Sequence, residues 1–531
     1  MLKEKGERGD IKHIYFVLLV GLLLPFAVMA QESEEIEEIV VLGSHIKGGD
    51  ITGVLPITSL STEDIDNLGI LDGDELFRSI PSQGFVGFHN QDVSGGINDV
   101  RGDSSSFNLR AVGTGYTLAL INSRRMVLQP GWASEEGVPV VSANPNAIPV
   151  AGIQRVEVMR DGASALYGTD AIGGAINSIL RGKVNKTTIS LRKGQSRHTS
   201  RKDNSAYFRT GYSSRDNRTT ISFFGDYRDR TALPASQRVY AASDDRRPLV
   251  VGTDFEGDTD FDSRSAYSPW GIFAAIIPED NAIGARLAND KRVYYDGNGI
   301  ATDNGLMRIL PVSHGSCEED GLGADPSYCY DDSGSVSRLT RFDKNSLRQI
   351  VPRLQRSNFF TNFEHQLNAN VTLYGELGYY RARTIRSKEQ SANLPNAVVT
   401  APASSYWNPF GPKEFSGTAN PNRLPDLKIC GEGTQSGGTA ANRYSCSSSR
   451  RDDLPDGGLA VDLIRYRPVD MGPRITEVEN ESWRFLIGGE GEITLLGIEW
   501  DWDSALLHSS YESYDLTRNR VSSTKLQEAI G

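Results

Sequence analysis

Ile153-Gln-Arg-Val-Glu-Val-Met-Arg-Asp-Gly-Ala-Ser-Ala-Leu-Tyr-Gly-Thr-Asp-Ala-Ile-Gly-Gly-Ala-Ile-Asn-Ser-Ile-Leu-Arg181 is the stretch on which the fold turns. Ile153 to Arg160 roughly alternates apolar and charged residues, so it predicts a strand with Arg155 and Glu157 on one face. Asp161-Gly162 predicts a turn, Ala163 to Tyr167 one helical turn ended by Gly168, and Ala175 to Leu180 a second strand. Gly173-Gly174, ahead of that strand, lets another backbone approach closely.

Working back from this stretch, Ser61-Thr-Glu-Asp64 has the form of a capping box and predicts a short helix ending at Gly69. Asp72-Gly-Asp-Glu75 opens a second helix that Pro81 stops. Leu76, Phe77 and Ile80 lie three and four apart and so share a buried face. Phe107 to Val112 and Thr117 to Ile121 predict strands, Asn122-Ser123 a turn, and Arg125 to Leu128 a return strand. Residues 46–183 thus predict a small α+β domain.

Further back, Lys3, Lys5, Arg8 and Lys12 lead into the apolar run Ile14 to Ala30, followed by polar Gln31-Glu32. Residues 1–30 therefore predict a signal peptide; the small-residue site Val28-Met29-Ala30 favours cleavage over an inner-membrane anchor. Residues 31–45 form an acidic tether containing the strand-former Glu38-Ile39-Val40-Val41-Leu42. That strand either docks a partner by adding to its sheet edge or opens the following domain.

Forward of the opening stretch, residues 184–531 alternate differently. Strands are predicted near 187–193, 204–213, 218–229, 355–367, 370–384, 481–493 and 498–513. Ala206, Phe208 and Tyr212 oppose Tyr207, Arg209 and Gly211; Val371, Leu373, Leu377 and Tyr379 oppose Thr372, Glu376 and Arg381. One face suits lipid and the other water, although a half-exposed soluble sheet alternates too. The links carry more information: tight turns at Ser214–Asn217, Leu367–Asn370 and Thr494–Gly497 fall at one end, and long loops 230–353 and 385–480 at the other. This is the asymmetry of an outer-membrane barrel.

The remaining composition is restrictive. A net charge of −12 argues against nucleic-acid partners. No stretch after the signal approaches the twenty or so apolar residues of a spanning helix, so any crossing is by strands. The four cysteines form two local pairs, Cys317 with Cys329 and Cys430 with Cys446, both in the long loops. In an exported chain these predict loop-closing disulfides; the competing metal site has only His314 nearby and no histidine near the second pair. No Walker A, G-x-S-x-G or H-E-x-x-H motif occurs and the seven histidines are scattered, so no enzyme, metal site or cofactor is expected.

Ile153 to Arg181, Asn108-Leu-Arg-Ala-Val-Gly113 and Thr117-Leu-Ala-Leu-Ile-Asn-Ser-Arg124 resemble the plug domain of TonB-dependent receptors. The resemblance covers residues 38–182 well and the rest in general character. It implies an α+β plug followed by an antiparallel transmembrane β-barrel of 22 strands, of which about seven are present, so the chain is expected to be truncated. It also implies that Glu38, Ile39, Val40, Val41 and Leu42 are a TonB box gripped by the inner-membrane TonB complex, with proton-motive force driving plug rearrangement. Arg155, Glu157 and Arg160 are then expected to face the barrel lumen. A plug apex including His89, Asn90, Gln91, Gln129 and Trp132 is expected to meet a small ligand at the cell surface. The expected function is import of a scarce ferric chelate, cobalamin or oligosaccharide across the bacterial outer membrane, whose lipid surrounds the barrel. A plug-bearing adhesin or structural protein, and an exported soluble binding protein, are the alternatives.

Overall fold

The computed structural model describes residues 57–70, 72–86, 102–130, 133–135, 138–275, 293–295, 306–311, 328–331, 340–392, 399–423, 427–430, 451–453 and 455–530. The signal peptide, the tether with Glu38 to Leu42, His89, Asn90, Gln91, Trp132, Cys317 and Cys446 lie outside them, as do the side chains of Cys329 and Cys430.

Two bodies pack together. The first begins with β1 (Ile57–Ser61) and helix α1 (Thr62–Leu68), which starts on a complete capping box between Ser61 and Asp64 and stops at Gly69 in the left-handed conformation. Helix α2 (Gly73–Arg78) is capped by Asp72, whose side chain accepts from the Glu75 amide. β2 (Thr117–Ile121), β3 (Arg124–Arg125), β4 (Ile153–Met159), α3 (Ala163–Tyr167) and β5 (Gly174–Leu180) complete it. The sheet order is β1-β4-β5-β2-β3, with β5 parallel to β2 and antiparallel to β4. Leu76, Phe77 and Ile80 are buried with Val156, Val158, Ile176 and Leu180 in one core. Asn122 and Ser123 both take positive φ, as the tight β2–β3 hairpin turn demands.

Phe107 to Val112 does not form the strand its apolar pattern predicts. Arg110 and Ala111 adopt φ of 58° and 55°, which turns the chain there and leaves a single bridge from Leu109 to Gln83. Phe107 and Leu109 are buried all the same, so the pattern reported core contact and not extended backbone. The return strand is shorter than the pattern predicts because Leu128 bridges Ala143 instead.

The second body is a seven-stranded antiparallel wall: β6 (Thr188–Gln195), β7 (Lys202–Ser213), β8 (Thr219–Arg230), β9 (Arg353–Asn368), β10 (Val371–Lys388), β11 (Arg474–Leu495) and β12 (Ile498–Arg518). Each pairs only with its sequence neighbours, and among the described residues the sheet stays open. The short turns at 214–218, 369–370 and 496–497 share one end, and the long connections 231–352 and 389–473 the other. Those connections carry short strands of their own, and Ile272–Ala275 of the first pairs with Val461–Ile464 of the second.

The wall has two unlike faces. Ile189, Leu191, Tyr212, Tyr227, Phe363, Leu373, Leu377, Trp483, Phe485, Ile487, Trp500 and Leu506 are large apolar residues left exposed on the outer one. From the level of Trp483 to that of Ile493, opposite Trp500, strands tilted about 40° at about 3.4 Å per residue give a band roughly 25 Å tall, the height of a bilayer's apolar layer. Arg381 lies on this outer face, beyond Tyr379, and pairs with Glu479 at 3.0 Å. Arg381 therefore does not share the face of Glu376 as its pattern predicts: the two are an odd number of residues apart, and side chains alternate along a strand.

Candidate functional site: the interface between plug and wall

The first body sits on the wall's inner face, and its core runs into it: Phe224 of β8 and Phe360 of β9 belong to the same apolar cluster as Phe77 and Leu180. Gly152 makes this possible, since a Cβ there would lie 2.6 Å from the Phe224 ring. Gly102, with φ of 70°, fits as closely at the other end, where a Cβ would stand 2.7 Å from Val478 and 3.0 Å from the Thr384 hydroxyl oxygen.

Two polar clusters hold the bodies together. In the outer cluster, Asp72 uses one carboxylate oxygen to cap α2 and the other to accept from Arg228 at 2.5 Å. Arg356 lies 3.3 Å from the same oxygen and donates to Asp103 at 3.1 Å. Tyr380 also donates to Asp103, at 2.9 Å, and Asn144 donates to the Tyr511 hydroxyl at 3.0 Å. Asp203 of the wall takes a two-point bond from Arg228, at 3.0 and 2.8 Å. Asp72, Asp103, Arg228 and Arg356 are each at most 2% exposed, so these charges interact without water between them.

The inner cluster lies near the short turns and centres on the β2–β3 hairpin. Asn122 donates to Glu376 at 2.8 Å, and Arg484 bonds the same carboxylate at 2.7 Å while reaching the carbonyls of Ile121 and Arg125. Arg124 donates to Asp503 at 2.6 Å and to the Tyr374 hydroxyl at 2.9 Å. Tyr374 in turn donates to Asp503.

Of the predicted plug–barrel and apex residues, Arg155, Glu157, Arg160 and Gln129 are among the described residues. Arg155 bonds Glu157 at 2.9 Å, two positions along the same strand, and Arg160 is exposed beyond it. Gln129 is tied into its own domain, donating to the Ser105 carbonyl at 3.2 Å. The anchors described above, Asp72, Asp103, Asn122 and Arg124, were not recognised as such. Asp72 had a visible local role as a helix cap, but its partners lie 156 and 284 residues away, a separation that no local pattern carries.

Burial pushes the Asp72 carboxyl up, but the Arg356 and Arg228 guanidiniums together outweigh it and hold the group below the usual carboxylate range. With the docked pKa depressed, this contribution to docking is complete above the free value of about 3.9 and is lost as pH falls through the docked value. Acid titration of the folded protein should therefore loosen the plug only below about pH 4. Asp72→Asn should remove that acid-linked component; an identical protease-sensitivity profile for both proteins would count against it.

An α+β domain is thus held by buried ion pairs on the inner face of an antiparallel wall whose outer face carries an apolar band. The family described as the TonB-dependent Receptor Plug Domain matches residues 52–175, and the chain carries that domain. It is similar to the Iron-regulated outer membrane virulence protein of Vibrio cholerae, at 28% identity over 163 residues, covering 30% of this chain and 23% of that one. It is also similar to the Vitamin B12 transporter BtuB of Photobacterium profundum, at 30% identity over 183 residues, covering 34% of this chain and 27% of the relative. The matched stretch thus spans about a quarter of each curated relative's length. Among solved structures, the ferric enterobactin receptor of Pseudomonas aeruginosa aligns over 87% of this chain and 60% of its own, with 13% identity and a TM-score of 0.30.

Proposed function

We propose that the complete protein is a TonB-dependent importer, energised from the inner membrane, that carries a scarce ligand across the outer membrane. The observation that carries this reading is how the plug is held: beside the apolar patch at Phe224 and Phe360, buried polar contacts, each breakable on hydration, join it to the wall. A permanent stopper would be better served by apolar packing, since buried ion pairs add little net stability over well-packed apolar residues.

Force enters through the tether. Glu38, Ile39, Val40, Val41 and Leu42 are the proposed TonB-binding strand, and the chain runs from there into β1, an edge strand of the plug sheet. Asp72 follows shortly after, so a pull toward the periplasm reaches the outer cluster early. The ligand is proposed to meet the apex near His89, Asn90, Gln91, Gln129 and Trp132. A ferric chelate or cobalamin is favoured by relatives named for iron regulation and for vitamin B12 transport, with an oligosaccharide also open. Arg155, Glu157 and Arg160 remain proposed contacts to the lumen of the closed barrel, and the two cysteine pairs proposed disulfides of the external loops.

Deleting Glu38 to Leu42 from the complete protein should abolish energised uptake while leaving ligand binding at the cell surface intact. Uptake at the parental rate would overturn the coupled reading and leave an outer-membrane binding protein in its place.

A further inference from the structure

Arg230 ends β8 on the inner face of the wall and is fully buried, yet none of its three guanidinium nitrogens makes a hydrogen bond. Asp72, Asp103 and Asp203 balance its charge through space, but its buried N–H donors have no acceptor, which is a costly arrangement. Asp203 lies directly opposite in the β7–β8 register, but both its oxygens accept from Arg228. Asp72 and Asp103 are likewise engaged, by Arg228 and Arg356. Arg230 faces Leu354 across β9, which puts Arg356 on the adjacent diagonal of the same face, within reach of a long side chain. The Arg356 Nε is also buried without a hydrogen bond, and its Nη2 has only the ion pair to Asp72. Five buried guanidinium nitrogens on two neighbouring side chains therefore lack a hydrogen-bond acceptor.

We propose that Arg230, with the unsatisfied Nε of Arg356, is a binding site for a small oxyanion, a carboxylate or phosphate group, at the outer end of the plug–wall interface. The planar guanidinium fork of Arg230 matches two oxygens of such a group at once. The unsatisfied atoms are all N–H donors, so the occupant must present acceptor oxygens, which an oxyanion does and a cation does not. The same oxyanion chemistry has two sources: a free inorganic anion that completes the interface, or an anionic group on a larger molecule. The site stands apart from the reading of import, because its occupancy is read as binding.

The test is thermal unfolding of the complete detergent-solubilised protein at constant ionic strength, with chloride replaced by inorganic phosphate or by citrate. A saturable rise in melting temperature with phosphate identifies a phosphate site; a saturable rise with citrate alone identifies a carboxylate site. In either case Arg230→Met should weaken the response at least tenfold. Should that variant fail to fold, Arg230→Lys decides, since it keeps the charge but loses the fork and should weaken binding about tenfold. No response in the parent protein, or an equal response in parent and variants, overturns the proposal.

Discussion

Arg356→Met is expected to detach the outer half of the plug from the wall at a cost of about 3–5 kcal/mol, the range for removing one member of a buried ion pair. Arg356 is 1% exposed and serves Asp72 and Asp103 at once, so methionine keeps the packing of the stem while leaving two buried carboxylates short of a partner. The loss should appear as protease cleavage in residues 57–86 under conditions where the parent resists, and as a lower unfolding temperature. Because the cost is mostly the stranded carboxylates, adding Asp103→Asn should return part of it, making the double variant less destabilised than the sum of the singles. Additive losses, or a protease pattern unchanged from the parent, would show that Arg356 is not the anchor.

The second large effect comes from making the contact permanent. A Cβ at Gly102 would stand 3.0 Å from the Thr384 hydroxyl oxygen, close to the spacing between one Cβ and the far sulfur of a disulfide. Gly102→Cys with Thr384→Cys should therefore cross-link plug to wall under oxidation, at the modest strain of a non-glycine residue at positive φ. In the complete protein, the oxidised form should lose the proposed uptake on the order of a hundredfold or more while still binding ligand, and reductant should restore it. That figure follows from a covalent bond replacing contacts worth a few kcal/mol, where each 1.4 kcal/mol is tenfold. Full uptake by fully cross-linked protein would mean that the plug does not move against β10 during transport.

Legibility divided along the range of the interactions. Ser61 and Asp64 announced α1 because a capping box is satisfied within four residues. The strand pairs β8 with β7, β10 with β9, and β12 with β11 were readable because their turns are tight and the side-chain period of two is strict. Phe107 to Val112 misled for the converse reason. Apolar spacing records which side chains are buried, while the left-handed Arg110 and Ala111 are set by Asn108, whose side chain accepts from the Gly113 amide. Arg381 misled through parity alone, and the alternation of burial along β10 corrects it.

By itself the sequence determined the mixed domain, the chain order of the wall strands, the end at which the long loops gather, and the outward row of apolar residues. All of these rest on contacts between near neighbours or on a repeating period. Only the tertiary structure decided what the domain is fastened with. Asp72, Asp103, Asn122 and Arg124 meet Arg228, Arg356, Glu376 and Asp503 across separations of 156 to 379 residues. A charge in isolation carries no mark of its partner, and it is the folding of the wall around the plug that excludes water and turns these particular pairs into the interface.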